Sequence, residues 1–273
     1  MLPINFHKTF VPERHLIGAL LHYAALGKQG SYQEISAETG IPMGVSTGKV
    51  PAILDYARGM GLVDLAGETK SAIKKPVLTP LGRAVYSDDR YLGEELTQWI
   101  VHMNLCRAER GASAWRSVFA VGRRVLGSRF TRPQLESYLS GIYGSGNDRT
   151  GPLIRAYTDD AALGRARILT TTRDDEIERH KAPILDAYAA AYSAIVLALM
   201  EAHFPIQAQV TLSDFERTLW FDICLWNEDD VEQACSLLDR KGFAMIDRQM
   251  RPWLLERRAT AESVWPHIFD DLA

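Results

Sequence analysis

Residues 31–61, SYQEISAETGIPMGVSTGKVPAILDYARGMG, decide how the N-terminal third folds. Ser31-Tyr32-Gln33-Glu34 matches the capping box S-x-x-E, in which serine and glutamate satisfy each other's free backbone donors at a helix start. A short helix over Tyr32–Thr39 follows, with Ile35 inward, and Gly40-Ile41-Pro42 stops it and turns the chain. A third helix starting near Thr47 or Gly48 puts Pro51 in the first turn, where a missing N–H costs least. Val50, Ile53, Leu54, Ala57 and Met60 then form an inner stripe, and Gly61 ends the helix. Lys49, Ala52 and Tyr56 fall on another face and are expected to reach outward.

Working outward, Leu16, Ile17, Leu20, Leu21 and Ala24 recur at helical spacing and predict a preceding helix over residues 13–26. Beyond Gly61, residues 62–65 read as a strand and Val77-Leu78 as its returning partner, with Lys70, Lys74 and Lys75 on the connection. Thr79-Pro80 is an N-cap followed by proline at the first helical position. Helix, short helix, turn, helix and hairpin in this order predict a winged helix-turn-helix over residues 1–87. A protein-binding module of the same plan is the alternative. On the DNA-binding reading, the small residues Ser46, Thr47 and Gly48 let the third helix approach a phosphate with free backbone donors. Lys49 on that helix, and Lys70, Lys74 and Lys75 on the wing, supply positioning contacts to phosphates.

Residues 88–143 read as a helical middle domain. Asp88-Asp89 is expected to cap a helix reaching Arg107, and a second helix is expected over residues 112–126. The stretch 107–132 holds seven arginines and one acid, and Arg123 and Arg124 are further candidates for phosphate contact. Thr131-Arg132-Pro133 opens another helix, and the glycine-rich turn at 144–148 is the expected domain boundary. The remainder, 150–273, is expected to be a helical domain ending in a second winged-helix-like module. There Asn227 caps a long helix, and residues 243–246 and 253–255 form a hairpin. The acidic opening of that helix, Glu228-Asp229-Asp230, would repel phosphates, so this copy is expected to meet protein, with Trp253 as part of the surface.

Charge divides along the chain. Residues 1–132 carry a net +6 and residues 133–273 a net −9, giving the overall −3, so only the first part has the electrostatics of a polyanion binder. The most apolar run, residues 187–200, is shorter than the roughly 20 residues of a membrane span and reads as a buried helix. Cys106, Cys224 and Cys235 show no paired spacing and suit reduced thiols in the cytosol. His7, His15, His22, His102, His180, His203 and His267 form no H-E-x-x-H and no zinc spacing. No metal, cofactor or nucleotide site is expected, and His102 reads as a structural histidine.

Several of these residues together are similar to a bacterial family of unknown function found beside DNA phosphorothioation (Dnd-type) and phage-defence genes. The similarity rests on Phe6-His7-Lys8-Thr9-Phe10 with Arg14, on Gly61-Leu62-Val63, and on Leu78-Thr79-Pro80-Leu81-Gly82. It continues through Asp89-Arg90-Tyr91-Leu92 and Trp99-Ile100-Val101-His102-Met103-Asn104-Leu105, with Trp115 and Phe119 following. It covers roughly residues 5–130, and Gly93 stands where the family often has a second acid. The resemblance implies a role in a DNA modification or restriction system and supplies no catalytic residues. Phe6 and Phe10 read as a hydrophobic staple for the first helix. The expectation is a mainly α, cytoplasmic, non-catalytic protein that binds double-stranded DNA with partners of a defence complex, a homodimer being left open. The rivals are a scaffold that never touches DNA and a nuclease with a site around His102.

Overall fold

The capping box at Ser31 forms. The Ser31 hydroxyl accepts from the Glu34 amide at 3.3 Å, and the Glu34 carboxylate accepts from the Ser31 amide at 2.6 Å. The computed structural model describes residues 1–44, 48–67, 71–146, 150–172 and 176–272. Ser46, Thr47 and Lys70 lie outside these residues.

The first elements are α1 (Arg14–Ala25), α2 (Tyr32–Thr39), α3 (Lys49–Gly59), β1 (Val63–Ala66), β2 (Lys75–Leu78) and α4 (Pro80–Asp88). β1 and β2 pair antiparallel with Val63 opposite Leu78. Gly30, just before α2, exchanges both backbone hydrogen bonds with Lys74, just before β2. Thr79 caps α4 by accepting from the Gly82 amide at 2.9 Å, and it donates to the Gly61 carbonyl at 2.6 Å. Gly82 is required here, because a Cβ would stand 1.8 Å from the Leu62 carbonyl oxygen.

Downstream, α5 (Glu95–Leu105) starts later than its sequence implied. Asp88 ends α4, and the Asp89 carboxylate instead accepts from the amides of Gly93 and Glu94, tying the turn before α5. The helix expected over 112–126 is broken into α6 (Ser113–Arg116), a π-helical turn (Ser117–Val121) and α7 (Arg123–Leu126). Then come β3 (Arg129–Thr131), α8 (Arg132–Tyr143), α9 (Thr150–Thr158), β4 (Leu169–Thr171) and β5 (Glu176–Arg179), the strands in the order β3-β5-β4. The last stretch holds α10 (Ala189–His203), β6 (Gln209–Thr211), α11 (Leu212–Phe215), α12 (Trp220–Ile223), α13 (Glu228–Lys241), β7 (Ala244–Asp247), β8 (Leu254–Arg257) and α14 (Ala261–Val264). Its strands run in the order β6-β8-β7, and Asn227 caps α13 through a capping box with Asp230.

Among the described residues one arrangement therefore occurs three times. A short extended segment pairs with the outgoing strand of a later hairpin, and a hydroxyl cap turns that segment directly into a helix. Gly30 leads to Ser31, β3 to Thr131 and β6 to Thr211, and each hydroxyl accepts from the amide three residues on. The cap lets the chain leave a ladder and enter a helix without stranding donors.

By its contacts the chain divides into two units, Met1–His180 and Lys181–Ala273. The divisions expected after 87 and at 144–148 both fall inside the first. Leu2 pairs with Gly111 and Ser113, joining the N-terminus to the region before α6, and Phe130 stands opposite Ile177 across the glycine-rich turn. No helix among the described residues is long and apolar enough to cross a membrane.

Candidate nucleic-acid interface

α3 is buried on both sides. Besides the inner stripe, Ala52 and Tyr56 are wholly buried. The Tyr56 ring lies 4.7 Å from Phe6 and 5.9 Å from Trp115, and its hydroxyl donates to the Phe10 carbonyl at 3.1 Å. The face expected to look outward is thus covered by the N-terminal segment. Phe6 is part of this packing, its ring 5.6 Å from that of Trp115. Among the described α3 residues, Lys49, Asp55 and Arg58 are half-buried and none is fully exposed.

Lys49 pairs with Glu13, and its ammonium lies 5.7 Å from the Phe10 ring centroid. Its side chain is 26% exposed, so it is not the outward cation the sequence implied. The start of α3 is also engaged. The Lys49 amide donates to the Pro42 carbonyl at 2.8 Å, and a Cβ on buried Gly48 would stand 2.4 Å from the Met43 Sδ. Gly48 is small to fit against Met43.

The hairpin is more open. Lys75 is exposed on β2, with exposed Val77 on the same face two residues on. Lys74 is half-buried, with its ammonium 5.9 Å from the Tyr32 ring centroid. Close by is a group that the sequence did not mark. Arg58 pairs with Asp55 at 2.9 Å, and the charges of Lys74 and Lys8 also act on the Asp55 carboxyl. Burial raises that carboxyl above its ordinary pKa, and the cations pull it back down. The spacing of Asp55 and Arg58 signals only a helix-surface ion pair; Lys8 comes to it through tertiary folding alone. On α7, Arg124 is exposed and Arg123 half-buried, flanked by exposed Val121 and Val125. The structure does not bring the five described candidates into one cluster: Lys49, Lys74 and Lys75 sit on the first module and its hairpin, with Lys49 turned inward, and Arg123 and Arg124 sit on α7.

His102 is wholly buried. The Trp115 indole N–H donates to the Tyr157 hydroxyl at 2.8 Å, which leaves the phenol proton for the His102 Nδ1 at 2.6 Å. The His102 ring meets Phe119 edge-on at 4.6 Å, and Arg179 donates to the Phe119 carbonyl at 2.7 Å. Burial, helped by the Arg179 charge, holds the imidazole well below its ordinary pKa, and burial pushes the Cys106 thiol and the Tyr157 phenol up. Trp99, His102, Asn104, Trp115 and Phe119 are thus core residues of the first unit. Among the described residues, no group of three or more His, Cys, Asp or Glu is placed to hold a metal ion.

In the second unit, Glu228 and Asp229 are exposed, whereas Asp230 pairs with Lys181 at 2.5 Å. Trp253 is half-buried between two guanidinium groups, Arg248 at 5.3 Å and Arg251 at 5.0 Å from its ring centroid.

A mainly α chain with small antiparallel sheets of two or three strands is the class these elements define. Two solved structures of SspB, one described as magnesium ion-bound, share the fold. Their TM-scores are 0.65 and 0.66 at 15% identity, over 98% of this chain and 87% of theirs. No family model and no curated protein matches the chain.

Proposed function

We propose that this chain is a DNA-binding subunit or regulator of a bacterial phosphorothioation-linked defence system, working with protein partners and without catalysis of its own. Each of the three repeated arrangements is read as a winged helix, the first being the one that meets duplex DNA. Charge placement carries this reading. Residues 1–180 bear a net +4 and residues 181–273 a net −7, and a positive surface is the electrostatic footprint of a polyanion binder. Lys74 and Lys75 on the hairpin, with Arg123 and Arg124 on α7, supply the phosphate contacts. The sequence resemblance and the shared fold with SspB support the choice of system.

A mobility-shift titration of the full chain with mixed-sequence duplex DNA tests this. Affinity should fall linearly on a log–log plot against salt. Absence of a shift at low salt would reject it. One observation favours the scaffold instead: no described α3 residue is fully exposed, so that helix has little with which to read a groove.

A further inference from the structure

Lys8 and Thr9 hold φ angles of +47° and +76°, a left-handed region costly for side chains and most of all for a β-branched one. Such backbone persists only where its surroundings over-determine it, and it gathers at functional sites. This turn is tied down from several directions. The Lys8 amide donates to the Asn5 carbonyl at 3.2 Å, the Phe10 amide to the His7 carbonyl at 2.8 Å and the Thr9 amide to His7 Nδ1 at 3.2 Å. The Tyr56 hydroxyl donates to the Phe10 carbonyl, and Phe6 is buried against Tyr56 and Trp115.

A second cation reaches the turn by direct contact. Arg155 of α9 donates to the Thr9 carbonyl at 3.0 Å. Arg14, at the start of α1, donates from its side chain to the Asp160 carbonyl at 2.7 Å and from its amide to the Ala161 carbonyl at 2.8 Å. The segment that carries Lys8 is thus fastened at two points to α9 and the turn after it. Lys8, Thr9 and Arg155 are nonetheless all exposed. Among the described residues neither Lys8 nor Arg155 forms an ion pair: Asp55 pairs with Arg58, and the Asp159 carboxylate accepts from the Ala161 amide at 2.8 Å. A guanidinium carries five N–H donors, and the Thr9 carbonyl takes one.

We propose that this left-handed turn is a contact site for the phosphodiester backbone of duplex DNA, at which Lys8, Thr9 and Arg155 bind phosphates of one strand. The inference rests on the DNA-binding reading above and adds a point of contact beyond the hairpin and α7. A guanidinium suits phosphate by its fork of donors, an ammonium contributes as a point charge, and a threonine hydroxyl donates. The fixed backbone has a use here, because groups held in place before binding lose less freedom on it.

The test measures fluorescence anisotropy of a mixed-sequence duplex with the full chain over a salt series, alongside urea denaturation of each variant. Lys8→Ala and Arg155→Ala should each weaken duplex binding about three- to ten-fold and flatten the log–log salt slope by about one unit. Lys8→Arg should restore both. Thr9→Gly separates display from folding, because glycine takes a positive φ without strain. Its urea midpoint should match or exceed the parent's while duplex binding weakens; a lowered midpoint would contradict the strained turn. If the parent binds duplex DNA and the double variant Lys8→Ala with Arg155→Ala matches it in affinity and slope, the site is wrong while the DNA-binding reading survives. Weaker binding at an unchanged slope would make the two side chains supports of the fold and would also overturn the site. No binding by the parent at low salt overturns the site and that reading together.

Discussion

His102 and Tyr157 show what a buried polar pair does in this chain. The His102 pKa lies below its unfolded value, so the unfolded chain takes up a proton as pH falls through about 6.5 while the folded chain does not. Stability present above that pH is then lost on acidification, by up to about 1.4 kcal/mol per pH unit from this one group. Chemical denaturation between pH 7.5 and 5 should show a shallower pH slope in His102→Gln than in the parent; equal slopes would contradict the assignment. Tyr157→Phe removes the hydroxyl that serves both Trp115 and His102. It should cost about 1–3 kcal/mol, the usual penalty for orphaning buried polar atoms, and a change under half of that in urea denaturation would mean the network is slack. Lys49→Ala tests the corrected placement of that residue. Because its ammonium pairs with Glu13, the variant should keep the parent's DNA affinity and salt slope, and a clear loss would return α3 to the interface.

At the scale of elements, local chemistry was legible and tertiary cover was not. The box at Ser31, the caps at Thr79 and Asn227, and the long buried helix α10 follow from residue type at fixed spacing, and all are present. The middle repeat escaped. Its strands are three or four residues long, and β3 finds its partner β5 across more than forty residues, so no local pattern announces the sheet. α3 was misjudged for a related reason. Helical periodicity separates two faces but cannot say that Phe6 and Trp115 arrive to bury the second. Lys8 was quoted for its resemblance alone, since nothing in Phe6-His7-Lys8-Thr9-Phe10 reveals a left-handed turn without glycine. The three hydroxyl caps give the repeats a common test. Ser31→Ala, Thr131→Ala and Thr211→Ala should each cost about 1 kcal/mol by equilibrium unfolding, and a neutral result at all three would mean that the strand-to-helix junctions are held by packing alone.

Across the whole chain, the division of charge matters more than its sum. A net −3 suggests nothing about nucleic acid, yet the first unit is basic and the second acidic. Exposed Glu228 and Asp229 belong to the acidic part, and Lys181 with Asp230 and Arg240 with Asp186 pair off cations of the same unit. Reversing Glu228 and Asp229 to lysine should therefore change duplex affinity less than about two-fold at physiological salt, where charges more than about 8 Å away are screened. A ten-fold change would place the second unit at the DNA. The most direct test of the account is the duplex affinity of the full chain carrying Lys75→Ala with Arg124→Ala, measured by anisotropy across a salt series. Both side chains are exposed, so folding should be kept. The account predicts weaker binding to every sequence alike and a log–log salt slope flatter by about two units; affinity and slope equal to the parent's would contradict it and leave the scaffold in its place.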